Sequence, residues 1–204
     1  MIGMINMYKK RAFSLIELLV SLSIISMLTV LFLANYRSAN RRTDLVMTAQ
    51  VLVTDIRYAQ ANALGLKEYQ GAMPEGGWGV SFSTAQAANN RYIIFADTNG
   101  NGLYDIGEAN ENLGGREVFL PNNIVIDELI LGGAIMPTAT VTFLPPDPKT
   151  FFRSGGNVGF YLEIRLKEKL DNTVKTVRVN FLGLVEVIDP EPEPADQTID
   201  PINM

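Results

Sequence analysis

From Phe13 to Ala34 the chain is apolar at nearly every position, a run of 22 residues with a single charge, Glu17. As a helix it would be about 33 Å long at about 1.5 Å per residue, enough to cross the hydrocarbon core of a bilayer. Then the pattern changes. Leu45, Ala49, Leu52, Ile56, Ala59, Ala63 and Leu66 recur at spacings of 4, 3, 4, 3, 4 and 3, an apolar stripe with Arg57 and Gln60 placed to face water. Some three heptads suit a core-facing stripe better than a separate coiled coil. Gly65 marks its end. One helix from about Phe13 to Leu64 is therefore expected, apolar all round in its first half (13–34) and one-faced in its second (35–66).

After Gly76-Gly77 the period becomes strand-like. Expected strands are Trp78–Ser83, Arg91–Ala96, Glu117–Leu120, Ile124–Leu131, Thr140–Leu144, Gly159–Leu166, Thr173–Asn180 and Val185–Ile188. Asn, Gly and Pro clusters separate them, among them Gly132-Gly133, Pro145-Pro146-Asp147-Pro148 and Ser154-Gly155-Gly156-Asn157. The fold class this predicts is α+β: a long N-terminal helix packed on a mainly antiparallel β domain over residues 67–188. The tail 189–204 is acidic and proline-spaced, which predicts an extended segment and not a strand.

Composition narrows the chemistry. The 204 residues are 47% apolar and 19% charged, enough to bury a core. Histidine and cysteine are both absent, which excludes a Ser-His-Asp triad, a thiol nucleophile, disulfides and a zinc site of imidazole or thiolate. No phosphate-binding loop is present. A non-enzymatic role is the expectation, with no cofactor required. Net charge is −5, unevenly spread: the first twelve residues hold Lys9, Lys10 and Arg11 and no acid. Without those three cations 14 bases face 22 acids, a balance of −8. A basic head before an apolar run predicts a membrane segment with a cytoplasmic N terminus and an extracytoplasmic domain.

Glu17 is the exception within that run. A carboxylate in lipid costs roughly 2.5 kcal/mol or more on insertion scales, and such a residue calls for a cationic partner. The stretch Lys9-Lys10-Arg11-Ala12-Phe13-Ser14-Leu15-Ile16-Glu17-Leu18-Leu19-Val20 resembles the class III signal of type IV pilins and pseudopilins. The resemblance implies a leader over 1–12, cleavage by prepilin peptidase between Ala12 and Phe13, and N-methylation of Phe13. It also implies that Glu17 pairs with the N-terminal amine of a neighbouring subunit during assembly. Pairing would remove most of the penalty of two isolated charges. Ala12 departs from the glycine usual before the cut; Met4 and Met7 are alternative starts to Met1.

Trp78-Gly79-Val80, Ile94-Phe95-Ala96-Asp97 with its Asn/Gly/Asp loop, Thr142-Phe143, the Ser154–Gly159 turn and Val177–Gly183 resemble, in that order, the GspH/FimT minor pseudopilins and minor pilins. Implied partners are other pilin or pseudopilin subunits, prepilin peptidase, an inner-membrane assembly platform and membrane lipid, in a type IV pilus or a type II secretion pseudopilus. Some FimT-like pilins bind DNA through a Gly-Arg-x-Arg motif near the C terminus. Here that stretch is Gly183-Leu184-Val185-Glu186, with neither arginine, which argues against DNA as a partner.

One loop suggests a cation. Asp97-Thr98-Asn99-Gly100-Asn101-Gly102-Leu103-Tyr104-Asp105-Ile106-Gly107-Glu108 fits the twelve-position calcium-loop pattern, with side-chain oxygens from Asp97, Asn99, Asn101, Asp105 and Glu108, the Leu103 carbonyl, and glycine at the sixth position. The strand-like Tyr92–Phe95 before it is not the helix that usually flanks such a loop, and a polar hairpin loop has the same composition. The alternative to a pilin subunit is a permanently anchored extracytoplasmic module, calcium-binding or adhesive. Trp78 and Tyr92 read as core or strand-face aromatics.

Overall fold

A computed structural model describes residues 14–105, 116–145 and 149–188. It contains one helix, α1 (Leu15–Leu64), followed by eleven strands. Two compact units divide the chain at residue 40, Met1–Asn40 and Arg41–Met204.

In the first unit the helix is exposed throughout Leu15–Leu33, where the mean hydropathy is 2.4. Three of its hydroxyls are satisfied locally: Ser21 donates to the Leu18 carbonyl (2.9 Å), Ser26 to the Ser23 carbonyl (3.3 Å) and Thr29 to the Ile25 carbonyl (2.8 Å). These back-bonds make serine and threonine tolerable in an apolar segment, where nothing else would accept their protons.

The second unit begins inside the same helix. Leu45, Ala49, Leu52, Ile56, Ala59 and Ala63 are buried, so the stripe faces the core as its spacing implies. Leu66 departs from it and is half exposed. The helix has already stopped: Leu66 N–H bonds to the Ala63 carbonyl (3.0 Å) and Lys67 N–H to the Asn62 carbonyl (2.9 Å), a closing turn that sets Leu66 at a φ of +50°. The left-handed position falls on Leu66, one residue beyond the expected Gly65. Arg57 and Gln60 do more than face water. They donate to the carbonyls of Val185 (3.1 Å) and Gly183 (3.4 Å), tying the helix to the last hairpin.

The strands are β1 (Gly77–Ser83), β2 (Arg91–Asp97), β3 (Arg116–Phe119), β4 (Ile124–Leu131), β5 (Ala134–Met136), β6 (Thr138–Leu144), β7 (Lys149–Ser154), β8 (Asn157–Val158), β9 (Tyr161–Glu168), β10 (Val174–Asn180) and β11 (Val185–Ile188). They form two antiparallel sheets, ordered β3-β2-β1-β6-β7-β8 and β11-β10-β9-β4-β5. The α+β arrangement of an apolar N-terminal helix and an antiparallel β domain is thus present, with two sheets around one core that includes the α1 stripe. Strands β5, β7 and β8 were not expected. β5 and β8 have three and two residues, too short for alternation to show. β7 lies between two turn clusters, and of its apolar residues only Phe152 enters the core. β9 starts at Tyr161, not at Gly159: the chain bends at Phe160, and Gly159 before the bend packs against Leu131.

Trp78 and Tyr92 are core aromatics. The Trp78 indole donates to the Lys67 carbonyl (3.1 Å) and the Tyr92 hydroxyl to Asp55 Oδ2 (2.5 Å).

Candidate functional site

Two places bear the chemistry read from the sequence. The first is the start of α1. Glu17 lies in its first turn, exposed, in a stretch that is otherwise apolar from Leu15 to Leu33. A carboxylate near a helix N terminus is favoured by the exposed N–H groups there. Among the described residues Glu17 has no cationic partner. The Ala12–Phe13 junction, predicted to be cut and methylated, lies outside the described residues.

The second is the loop after β2. Asp97, at the end of that strand, is fully buried. Its two carboxylate oxygens accept the backbone N–H groups of Gly100 (2.8 Å) and Gly102 (2.7 Å). Both glycines have positive φ, which turns their N–H groups back toward the strand end. Gly76 must also be glycine, since a Cβ there would stand 1.8 Å from Asp97 Oδ2. Burial lifts the Asp97 carboxyl above the usual carboxylate range, while the N–H groups of Gly102, Gly100, Asn101 and Asn99 pull against that rise.

Around Asp97 the loop closes on itself. Asn99 Oδ1 accepts the Asn101 N–H (3.0 Å), and Asn101 Oδ1 accepts the Leu103 N–H (2.7 Å). The side-chain amides of Asn99 (2.9 Å) and Asn101 both donate to Asp105 Oδ2. Asn99, Asn101 and Asp105, three of the predicted ligand positions, therefore meet, and Asp97 anchors the loop beneath them. Glu108, the predicted bidentate ligand, lies outside the described residues. Among the described residues no group of three His, Cys, Asp or Glu could hold a metal ion. The donors are all oxygens, which is the chemistry of a hard cation such as calcium. In the arrangement described, though, the Asp97 oxygens and both asparagine oxygens already accept backbone N–H groups.

Pairings at long sequence separation were missed by reading the sequence. Arg41 at the start of the second unit donates to both oxygens of Asp171 (2.8 and 3.1 Å). Behind it Glu168, fully buried, accepts the N–H groups of Asp171 (2.6 Å) and Leu170 (3.0 Å). This cluster fixes the β9–β10 turn to α1, and no local pattern announces a pair 130 residues apart. On β10, Arg178 donates twice to Glu163 Oε1 (2.6 and 2.9 Å).

Residues 7–33 match the family model of the prokaryotic N-terminal methylation motif. No curated protein and no solved structure matches the chain. The match includes the exposed apolar stretch of α1, and the pilin-like proteins that carry this motif are structural subunits and not enzymes. Such subunits are processed by prepilin peptidase and assemble with other pilin subunits. The apolar stretch Leu15–Leu33 is consistent with a single membrane anchor. Residues 7–33 thus carry the N-terminal methylation motif, which supports a likeness to the type IV pilin-like proteins.

Proposed function

We propose that the chain is a minor pilin or pseudopilin of the GspH/FimT kind, cut between Ala12 and Phe13, methylated on Phe13 and assembled into a type IV pilus or type II secretion pseudopilus. The observation that carries this reading is the coincidence of the methylation motif with a helix whose Leu15–Leu33 face is wholly unburied and bears one acid, Glu17. Apolar surface of that extent is stable in lipid or against other helices, and not in water. A carboxylate withdrawn from water needs a cation or several hydrogen-bond donors beside it, and the helix flank around Glu17 offers apolar side chains. A neighbour's N-terminal amine meets that need without an extra side chain. Assembly then sorts subunits by register, since only one axial offset brings amine and carboxylate together.

Mass spectrometry of the N-terminal peptide, from membranes in which prepilin peptidase is coexpressed, tests the reading. A peptide beginning with N-methylated Phe13 is expected. An intact leader, with the peptidase shown active on another substrate, would overturn it in favour of a permanently anchored module.

A second reading concerns calcium on the Asp97–Glu108 loop. The convergence of Asn99, Asn101 and Asp105 favours it. Calcium would add charge compensation for Asp105 and Glu108, and it is compatible with either fate of the leader.

A further inference from the structure

The six-stranded sheet has a face that the core does not use. Val80 and Phe82 of β1 and Ala139 and Val141 of β6 enter the core, so the residues between them point the other way. There the strand register sets Ser81 opposite Thr140 and Ser83 opposite Thr138. Four hydroxyls thus form a square across two neighbouring strands. On one side the loop after β2 folds over the sheet, its Tyr104 ring packed edge-on against Phe95 at 5.5 Å. On another stands Arg91, 3.7 Å from Glu117 and above the Phe119 ring. Between them is a cleft of about 350 Å³ whose lining includes the four hydroxyl residues, Arg91, Tyr104 and Asp105.

We propose that this cleft binds the end of a carbohydrate chain. A pyranose offers a ring face of C–H groups and a rim of hydroxyls that both donate and accept. Tyr104 supplies an aromatic wall for the first. Arg91 donors, Asp105 acceptors and the square of hydroxyls supply partners for the second. Two of the four hydroxyls are held in place: Thr140 donates to the Arg153 carbonyl (3.2 Å) and Ser83 accepts the Ala85 N–H (3.2 Å). Among the described residues, the hydroxyls of Ser81 and Thr138 make no hydrogen bond within the protein. The volume is that of a small-molecule site.

Other ligand classes suit the cleft less well. β1 and β6 are interior strands, so no free backbone edge is present for an added peptide strand. Nucleic acid needs a track of unneutralised cations, and the one arginine lining the cleft stands beside Glu117. The inference does not depend on the processing of the N terminus, because every residue it uses belongs to the second unit.

The test uses the full chain in a zwitterionic detergent without a sugar headgroup. Saturation-transfer NMR is run against methyl glycopyranosides of the gluco, galacto, manno and N-acetylglucosamine series. At least one is expected to receive saturation, strongest on its C–H face, with millimolar affinity. Tyr104→Ala should abolish the transfer. The double change Ser81→Ala with Thr138→Val removes the two open hydroxyls without touching the core, and should weaken binding by about tenfold. No transfer to any glycoside from folded protein would overturn the proposal. So would undiminished binding by the double variant, or saturation of a short peptide control in place of the sugars.

Discussion

Leu15–Leu33 and Leu45–Ala63 are consecutive stretches of one helix, and they treat their apolar residues in opposite ways. None of the first is buried, whereas Leu52, Ile56 and Ala59 of the second are at 0% exposure. The difference is in the pattern and not in the helix. The first stretch is apolar on every side, so no rotation about its axis would hide it in a water-soluble core. The second confines its apolar residues to one stripe, and the β domain covers that stripe. A lone acid accordingly has a different meaning in each. Among the described residues Glu17 has no cationic partner, whereas Asp55 in the second stretch is met by the Tyr92 hydroxyl.

The widest separation of the two stretches should come from Glu17→Ala. Subunit incorporation into filaments, measured by immunoblot of sheared or purified filaments, should fall by at least about tenfold. Domain melting should not change. Normal filaments from this variant would show that apolar packing alone sets the register.

Next in size is a matched pair of truncations. Leu52→Ala removes a fully buried side chain from the stripe and should cost about 3 kcal/mol in denaturant unfolding of the domain. Leu22→Ala removes the same atoms from the exposed stretch and should leave that transition within about 0.5 kcal/mol of the parent. Equal losses in both would mean that the Leu15–Leu33 stretch is not separable from the core.

Asp97→Ala sharpens the comparison within the domain, since it tests a carboxylate satisfied by its own loop. The buried Gly102 N–H and the part-buried Gly100 N–H lose their acceptor, and a loss of about 2 kcal/mol is expected in the same unfolding assay. Millimolar calcium should raise the melting temperature of the parent by a few degrees and leave Asp97→Ala unmoved, following the usual linkage of a ligand to the folded state. An unchanged parent melt would end the calcium reading and leave the loop closed by hydrogen bonds alone.

The sequence carried the helix and most strands because both depend on periodicity. The 4-3 spacing from Leu45 to Ala63 and the alternation through Val80–Phe82 and Ile124–Leu131 are each imposed by a nearby core. Leu66 shows where periodicity ends: its spacing fits the stripe, but backbone closure through Lys67 and Asn62 decides its position. Division into two sheets was not legible, since strand order depends on which edges meet and β5 and β8 are too short to announce themselves. The Asp97 loop was legible as a pattern of oxygens, but its hydrogen-bond pairing was not. The Arg41–Asp171–Glu168 cluster had no signal at all, because only the fold brings its residues together.

The smallest expected effect concerns Tyr92 and Asp55. Burial first, and then the Asp55 carboxylate, push the Tyr92 phenol upward from its ordinary value. A raised value means that the folded state prefers the protonated phenol. Its contribution is therefore fully present below the ordinary phenol value of about 10 and is lost as pH rises through the higher folded value. Tyr92→Phe keeps the ring in the core and deletes the bond to Asp55, which is half-buried and can turn to water, so the cost should be about 1 kcal/mol at neutral pH. Above pH of about 10 the parent should lose stability that the variant does not, and the gap between them should narrow. Urea unfolding of both proteins at neutral and alkaline pH measures this directly. A gap that stays constant with pH would show that the hydroxyl is not held in its protonated form by burial, and that Asp55 on α1 is satisfied by water instead of by the sheet.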